Sequence, residues 1–232
     1  AAIQIEGGDA FQSVQLFGGD QLETQHSSGL TVLDLRQLIK LFEHGKTVGS
    51  LISVPETLKA KLGKIVDLLA SVRSQGDDLS RSYASEVLEQ FAWPASLLVL
   101  QYDAVIANPP YMGGKGMNSA LKEFAKKNFP DSKSDLFAMF IERGFLWCRP
   151  TGFNSMVTMQ SWMFLSSYQS MREKLLADRT IHTMAHLGAR AFGEISGEVV
   201  QTTAFVLQGK HIFRFKPVFF RLVDGLEADK EA

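Results

Sequence analysis

The chain has 232 residues, 45% of them hydrophobic and 21% charged, enough to bury one sizeable core with an appended helical layer. Its longest apolar runs, such as residues 95–100, fall far short of the roughly 20 residues that span a bilayer, and its single cysteine, Cys148, excludes an internal disulfide and suits a reducing, cytoplasmic setting. The net charge of −1 excludes a uniformly basic surface, so any contact with nucleic acid has to come from a local excess of cations.

Residues 2–6 and 13–16 alternate apolar and polar side chains as two short strands would, separated by Gly7-Gly8. Phe17-Gly18-Gly19-Asp20 is followed by polar residues without a helical pattern, which makes it an ordinary turn rather than a cofactor loop. Val32, Leu35, Leu38, Ile39 and Phe42 line one face of a helix that Gly45 ends. Ser53-Val54-Pro55-Glu56 has the spacing of a capping box, with Ser53 as N-cap, and the helix it opens carries Leu58, Leu62, Ile65, Leu69 and Val72. Gln75-Gly76-Asp77-Asp78 breaks that helix, and a third spans residues 79–91, closed by Trp93-Pro94. Residues 1–100 are therefore expected to form a strand/helix segment and a helical insert with no chemistry of their own.

Tyr102 to Ala107 reads as a buried strand, and it runs directly into Asn108-Pro109-Pro110-Tyr111. Two consecutive prolines make a stiff turn, because each fixes φ and lacks an N–H. The Asn108 side-chain oxygen and the Pro109 carbonyl are two acceptors that such a turn can aim at the two N–H groups of a planar amino group. Accepting both bonds draws the nitrogen toward tetrahedral geometry and frees a lone pair otherwise delocalised into a ring. Tyr111 adds a flat face for an extruded base. The same four residues also suit a plain strand-terminating turn, with Tyr111 as a surface aromatic. Residues 113–133 follow with Lys115, Lys122, Lys126, Lys127 and Lys133 against only Glu123 and Asp131, a local excess of three positive charges. Lys115, Lys122, Lys126 and Lys127 are candidates for phosphate contacts, and a solvated helix face explains the last three equally well.

The rest alternates. A helix is expected over residues 135–148, a strand over 153–159, a helix over 168–176, then strands over 180–187 and 198–207, with a further strand within 211–222. Alternating strands and helices argue a largely parallel, twisted α/β sheet, with the last two long strands as its antiparallel edge. The Asn108 turn then sits at the carboxyl end of a strand beside the expected switch point, where such sheets bind ligands. The five histidines are scattered without metal-ligand spacing. His182 and His186 would be about 13 Å apart along a strand, so both are expected to be structural. Residues 101–222 are thus expected to form one α/β segment, the catalytic half if the Asn108 turn carries chemistry, and residues 223–232 a charged tail.

Residues 102–111 resemble the fourth motif of the N6-adenine DNA methyltransferases, and the Ser134-Asp135-Leu136-Phe137 segment resembles the helix those enzymes place next. Residues 152–159, 161–165, 187–193 and 199–208 are similar to their later strands and target-base motif. Asn-Pro-Pro-Tyr-Met-Gly-Gly-Lys-Gly-Met-Asn, at residues 108–118, resembles the large methyltransferases of the BREX and Pgl phage-exclusion systems in particular. The likeness is good over residues 100–210 and weak over the first hundred. It implies a Rossmann-like class I methyltransferase sheet, S-adenosylmethionine as cofactor, duplex DNA as substrate and other subunits of a defence system as partners. It implies Asn108, Pro109, Pro110 and Tyr111 as catalytic residues, Tyr111 and Phe192 as contacts to the target base, and Asn108, Leu136 and Phe137 as cofactor contacts. Such enzymes open with a strand and Gly-rich loop, and none precedes Asn108. The chain is therefore expected to be a piece of a longer protein, inactive alone. The same tetrapeptide also serves enzymes that methylate a glutamine amide or an RNA base, and a non-catalytic binding module is a further alternative.

Overall fold

The computed structural model describes residues 10, 12–14, 29–75, 79–188 and 201–223. The chain divides into two compact units, Ala1–Leu100 and Gln101–Ala232. The expected strand over residues 2–6, the turn at 17–20, Phe192 and the charged tail from residue 224 lie outside the described residues. No described helix is long and apolar enough to cross a membrane.

Every regular element described in the first unit is a helix. Of the strand expected over residues 13–16, Ser13 and Val14 are described, and both lie in helix. Ala10 and Val14 are both fully buried, and their spacing of four puts them on one helical face. Helix α1 (Val32–Leu41) starts at Thr31, whose N–H donates to Asp34 Oδ2 at 2.8 Å. Lys61 closes on the same carboxylate at 2.8 and 2.9 Å, which ties the start of α1 to a residue 27 positions on. Single helical turns follow at Gly45–Val48 and Glu56–Lys59. The capping box expected at Ser53 does not form as expected: Pro55 is the N-cap, still extended at ψ 145°, and Glu56 is the first helical residue rather than the third.

Helices α2 (Leu62–Gln75) and α3 (Leu79–Val99) then pack around Leu62, Ile65, Leu69, Ala84, Leu88, Phe91 and Ala95. The buried Ser85 hydroxyl donates to the Leu69 carbonyl at 2.7 Å across this pair. Trp93-Pro94 does not close α3. Pro94 lies inside the helix, because Ala92 and Ala95 on either side are buried and keep the apolar face continuous. That burial offsets the hydrogen bond Pro94 cannot make.

The second unit is α/β, in the order β1 (Tyr102–Ala107), α4 (Ser119–Asn128), α5 (Leu136–Trp147), β2 (Cys148–Met159), α6 (Gln169–Asp178), β3 (Thr180–Gly188), β4 (Thr202–Gln208) and β5 (Val218–Arg221). The sheet order is β1-β2-β4-β3-β5. β1 is parallel to β2 and β3 to β5, while β4 is antiparallel to both β2 and β3. The expected antiparallel pair is present, but it is not an edge: β4 is inserted inside the sheet, and β5 is the edge strand beyond β3. Burial explains the order. Thr203, Phe205 and Leu207 of β4 are buried and suit a central position, whereas all four β5 residues are exposed.

β2 begins earlier than expected, at Cys148, because Tyr102 pairs with Cys148 and Ala104 with Phe153 across an irregular register. Gly152 makes that approach possible, since a Cβ there would stand 2.9 Å from the Tyr102 carbonyl oxygen. Helix α5 covers the sheet with Phe137, Ala138 and Ile141 against Met156, Met184, Phe205 and Leu207. His182 pairs with Gln208 at 2.8 Å and packs edge-on to Phe153, and His186 bonds Gln160, so both histidines serve the sheet.

Candidate active site

Ala107 is the last paired residue of β1, opposite Met156, so Asn108 emerges at the carboxyl end of a parallel strand. Pro109 is buried and anchors the turn, Asn108 and Pro110 are exposed, and Tyr111 is half-buried. The Tyr111 hydroxyl donates toward Asn108 Oδ1 at 3.4 Å and toward the Val157 carbonyl at 3.5 Å. Burial raises the Tyr111 pKa above its ordinary 10.0, which keeps the phenol a donor. Its ring meets Phe137 edge-on at 6.1 Å, and Phe137 in turn leans on Tyr168 at 6.0 Å. Burial, with Asp135 adding to it, pushes the Tyr168 phenol up to about 12.

The backbone after Tyr111 is pinned to the start of α5. The Met112 N–H donates to Asp135 Oδ1 at 2.9 Å, and the Leu136 N–H donates back to the Met112 carbonyl at 3.1 Å. Gly113 forms an isolated bridge with Asp135, and the Gly114 N–H donates to the Ser134 carbonyl at 3.2 Å. Residues 113–134 therefore leave and return through one narrow neck. Asp135 is also the N-cap of α5, accepting from the Phe137 N–H at 3.3 Å. Burial raises its pKa, while hydrogen bonds from Met112, Phe137 and Leu136 pull the other way. Sequence reasoning did not single it out; the signal was there, an Asp directly before an apolar helical run.

The segment between the two sides of the neck holds α4, which gives Lys122, Lys126 and Lys127 the helix face that was one of their two expected readings. The Asn118 side chain caps it, accepting from the Leu121 N–H at 2.9 Å, and Leu121 and Ala125 bury its inner face. Lys122, Lys126 and Lys127 are exposed on this helix, and Lys115 and Lys133 are exposed on the flanking loops. Leu136 is half-buried at the first turn of α5, whereas Phe137 is wholly buried and backs Tyr111. Cys148 is buried with its thiol donating to the Phe153 carbonyl at 3.3 Å, and desolvation pushes it up to about 11. A thiol so protonated is no nucleophile at neutral pH.

Comparison with known proteins bears on this geometry. The chain is 55% identical over 199 residues to the adenine-specific methyltransferase BrxX of Escherichia coli O9:H4 (strain HS), an alignment covering 85% of this chain. It is 39% identical over 198 residues to the adenine-specific methyltransferase PglX of Lacticaseibacillus casei (strain Zhang), covering 82% of this chain. The chain spans 16% of the length of each of these relatives. Among solved structures it resembles a class I S-adenosylmethionine-dependent methyltransferase from Listeria monocytogenes, at 14% identity over 95% of this chain and 75% of that one, with a TM-score of 0.42. A nuclease-deletion mutant of the Type ISP restriction-modification enzyme LlaGI in complex with a DNA substrate mimic is 17% identical over 71% of this chain and 15% of its own, with a TM-score of 0.44. The model of the Eco57I restriction-modification methylase family matches residues 36–192, so it takes in the helices from α1 onward that were expected to match only weakly. On that match the chain belongs to the Eco57I restriction-modification methylase family.

Proposed function

We propose that the protein transfers a methyl group from S-adenosylmethionine to the N6 amino group of adenine in duplex DNA, in the cytoplasm, within a phage-defence or restriction-modification system and alongside its other subunits. The observation that carries this reading is the exposed Asn108 at the end of β1, its side-chain oxygen held next to the Tyr111 hydroxyl. The relatives BrxX and PglX are adenine-specific methyltransferases, which favours adenine over a glutamine amide or an RNA base.

The residues present fit one side of the cofactor. Half-buried Leu136 offers apolar surface beside the motif, and exposed Asn108 offers a polar edge. β1 and β2 run out into Asn108 and Gln160, so neither brings an acidic side chain to the ribose hydroxyls. S-adenosylmethionine supplies an electrophilic methyl group on a sulfonium sulfur. Asn108 Oδ1 and the Pro109 carbonyl accept the two N–H bonds of the adenine amino group and localise its lone pair. As they do so the Tyr111 hydroxyl gives up Asn108, and the Val157 carbonyl at 3.5 Å is its remaining acceptor. The Tyr111 ring stacks on the extruded base, a contact of about 1–3 kcal/mol, with Phe192 as the second aromatic. Phe137 acts from behind, holding the Tyr111 ring edge-on. Lys115, Lys122, Lys126 and Lys127 bind phosphates beside the site. Cys148 takes no part.

Methyl transfer from radiolabelled cofactor to unmethylated DNA, by the intact protein and by its Asn108→Ala variant, tests this. Label should appear as N6-methyladenine and fall by about 10²–10³-fold with the substitution. Label in protein or RNA instead would move the assignment to a sister chemistry, and transfer to none of the three would overturn it.

A further inference from the structure

We infer that Asp135 is a positioning residue of this site: its carboxylate sets the place of Tyr111 by holding the Met112 amide, and closes the neck through which the lysine-bearing segment leaves and returns. The inference rests on the function proposed above and adds to it a residue that touches neither base nor cofactor.

Four contacts carry it. Asp135 Oδ1 accepts from the Met112 N–H at 2.9 Å, directly after Tyr111, and from the Phe137 N–H at 3.3 Å, whose ring is the one Tyr111 packs against. The Leu136 N–H returns a bond to the Met112 carbonyl, and Gly113 pairs with Asp135 itself. One oxygen thus joins the backbone carrying the stacking ring to the helix carrying the ring behind it. The residue is only 9% exposed, so water competes poorly for these bonds.

An ordinary N-cap would need none of the Met112 geometry, and three side chains separate the two roles. Asn keeps an oxygen at the same reach, and so keeps both the cap and the hold on Met112. Ser still caps its own helix, but its oxygen sits one atom closer to the backbone and cannot reach Met112. In the intact protein, Asp135→Asn should retain kcat within about three-fold. Asp135→Ser should lose about 10–100-fold in kcat with little change in the KM for DNA, because binding survives while the reacting geometry does not. Unfolding midpoints of both variants, taken alongside, show whether the comparison is made on folded protein. Amide hydrogen exchange of the peptides spanning residues 111–114 and 133–136 supplies a readout free of activity. Exchange there should speed up in Asp135→Ser and not in Asp135→Asn. Unchanged kcat in Asp135→Ser, equal losses in both variants, or unchanged exchange at the neck would each overturn the inference. Absence of methyl transfer by the unsubstituted protein, with the exchange difference present, would instead sink the proposed function and leave the Asp135 tether standing.

Discussion

Tyr111 shows how a single side chain can be tied at both its ring and its hydroxyl. Its ring is held edge-on by Phe137, and its hydroxyl spans Asn108 and the Val157 carbonyl. Asn108 Oδ1 therefore has a partner within the turn itself, besides the solvent to which the side chain is open. Asp135 illustrates the opposite strain. Its burial raises the folded-state pKa above 3.8 despite three backbone donors, so the ionised form is the disfavoured one. For a raised carboxyl the favourable contribution to stability is full below pH 3.8 and is lost as pH rises through the folded-state value. Asp135→Asn removes that dependence while keeping an acceptor. Its denaturant midpoint relative to the parent should therefore improve from acid to neutral pH; an unchanged or shrinking gap would contradict desolvation of the carboxylate as the cause.

Between elements, α5 packs closely on β2. Asn154 is fully buried and donates to the Ile141 carbonyl at 3.0 Å, and a Cβ on Gly144 would stand 2.6 to 2.8 Å from its amide atoms. Gly144→Ala cannot be absorbed by an exposed rotamer, since Asn154 has none to take. It should cost about 1–3 kcal/mol, read as a fall in the unfolding midpoint. Helix α4 carries an electrostatic counterpart. Its inner face is held by Leu121 and Ala125, and Lys122, Lys126 and Lys127 project outward. Replacing all three with Ala leaves the helix competent to form. The slope of log K for duplex DNA against log salt should then become shallower by about 0.9 for each phosphate that is no longer neutralised. An unchanged slope would mark them as a solvated face only.

At the scale of the whole molecule, the described sheet ends in β1 on one side and β5 on the other, and both edges show apolar side chains. Ile106 is 81% exposed, and Phe219 and Phe220 are more than half or half exposed. Flat apolar edges associate. This chain expressed by itself should self-associate at high concentration, and Ile106→Lys should reduce the associated fraction in sedimentation. Much of the architecture was legible before the structure. Tyr102 to Ala107 as a strand (though largely exposed, not buried as its apolar run suggested), the turn at Asn108, α5 from Asp135 and the alternation after it all rest on local causes: side-chain period, proline, and an Asp before an apolar run. These act within a few residues and need no partner. What local pattern misjudged lies where distant residues compete. Residues 12–14 became helix because Ala10 and Val14 share a buried face, and α3 ran through Pro94 because Ala92 and Ala95 were worth burying. Local pattern alone thus located the turn that follows β1 at Asn108. It took the folded chain to establish that β4 enters the sheet between β2 and β3, that Phe137 backs Tyr111, and that Asp135 closes the neck. Burial is non-directional, so a strand's place in the sheet follows from which neighbours cover it, and no stretch of sequence contains its own neighbours.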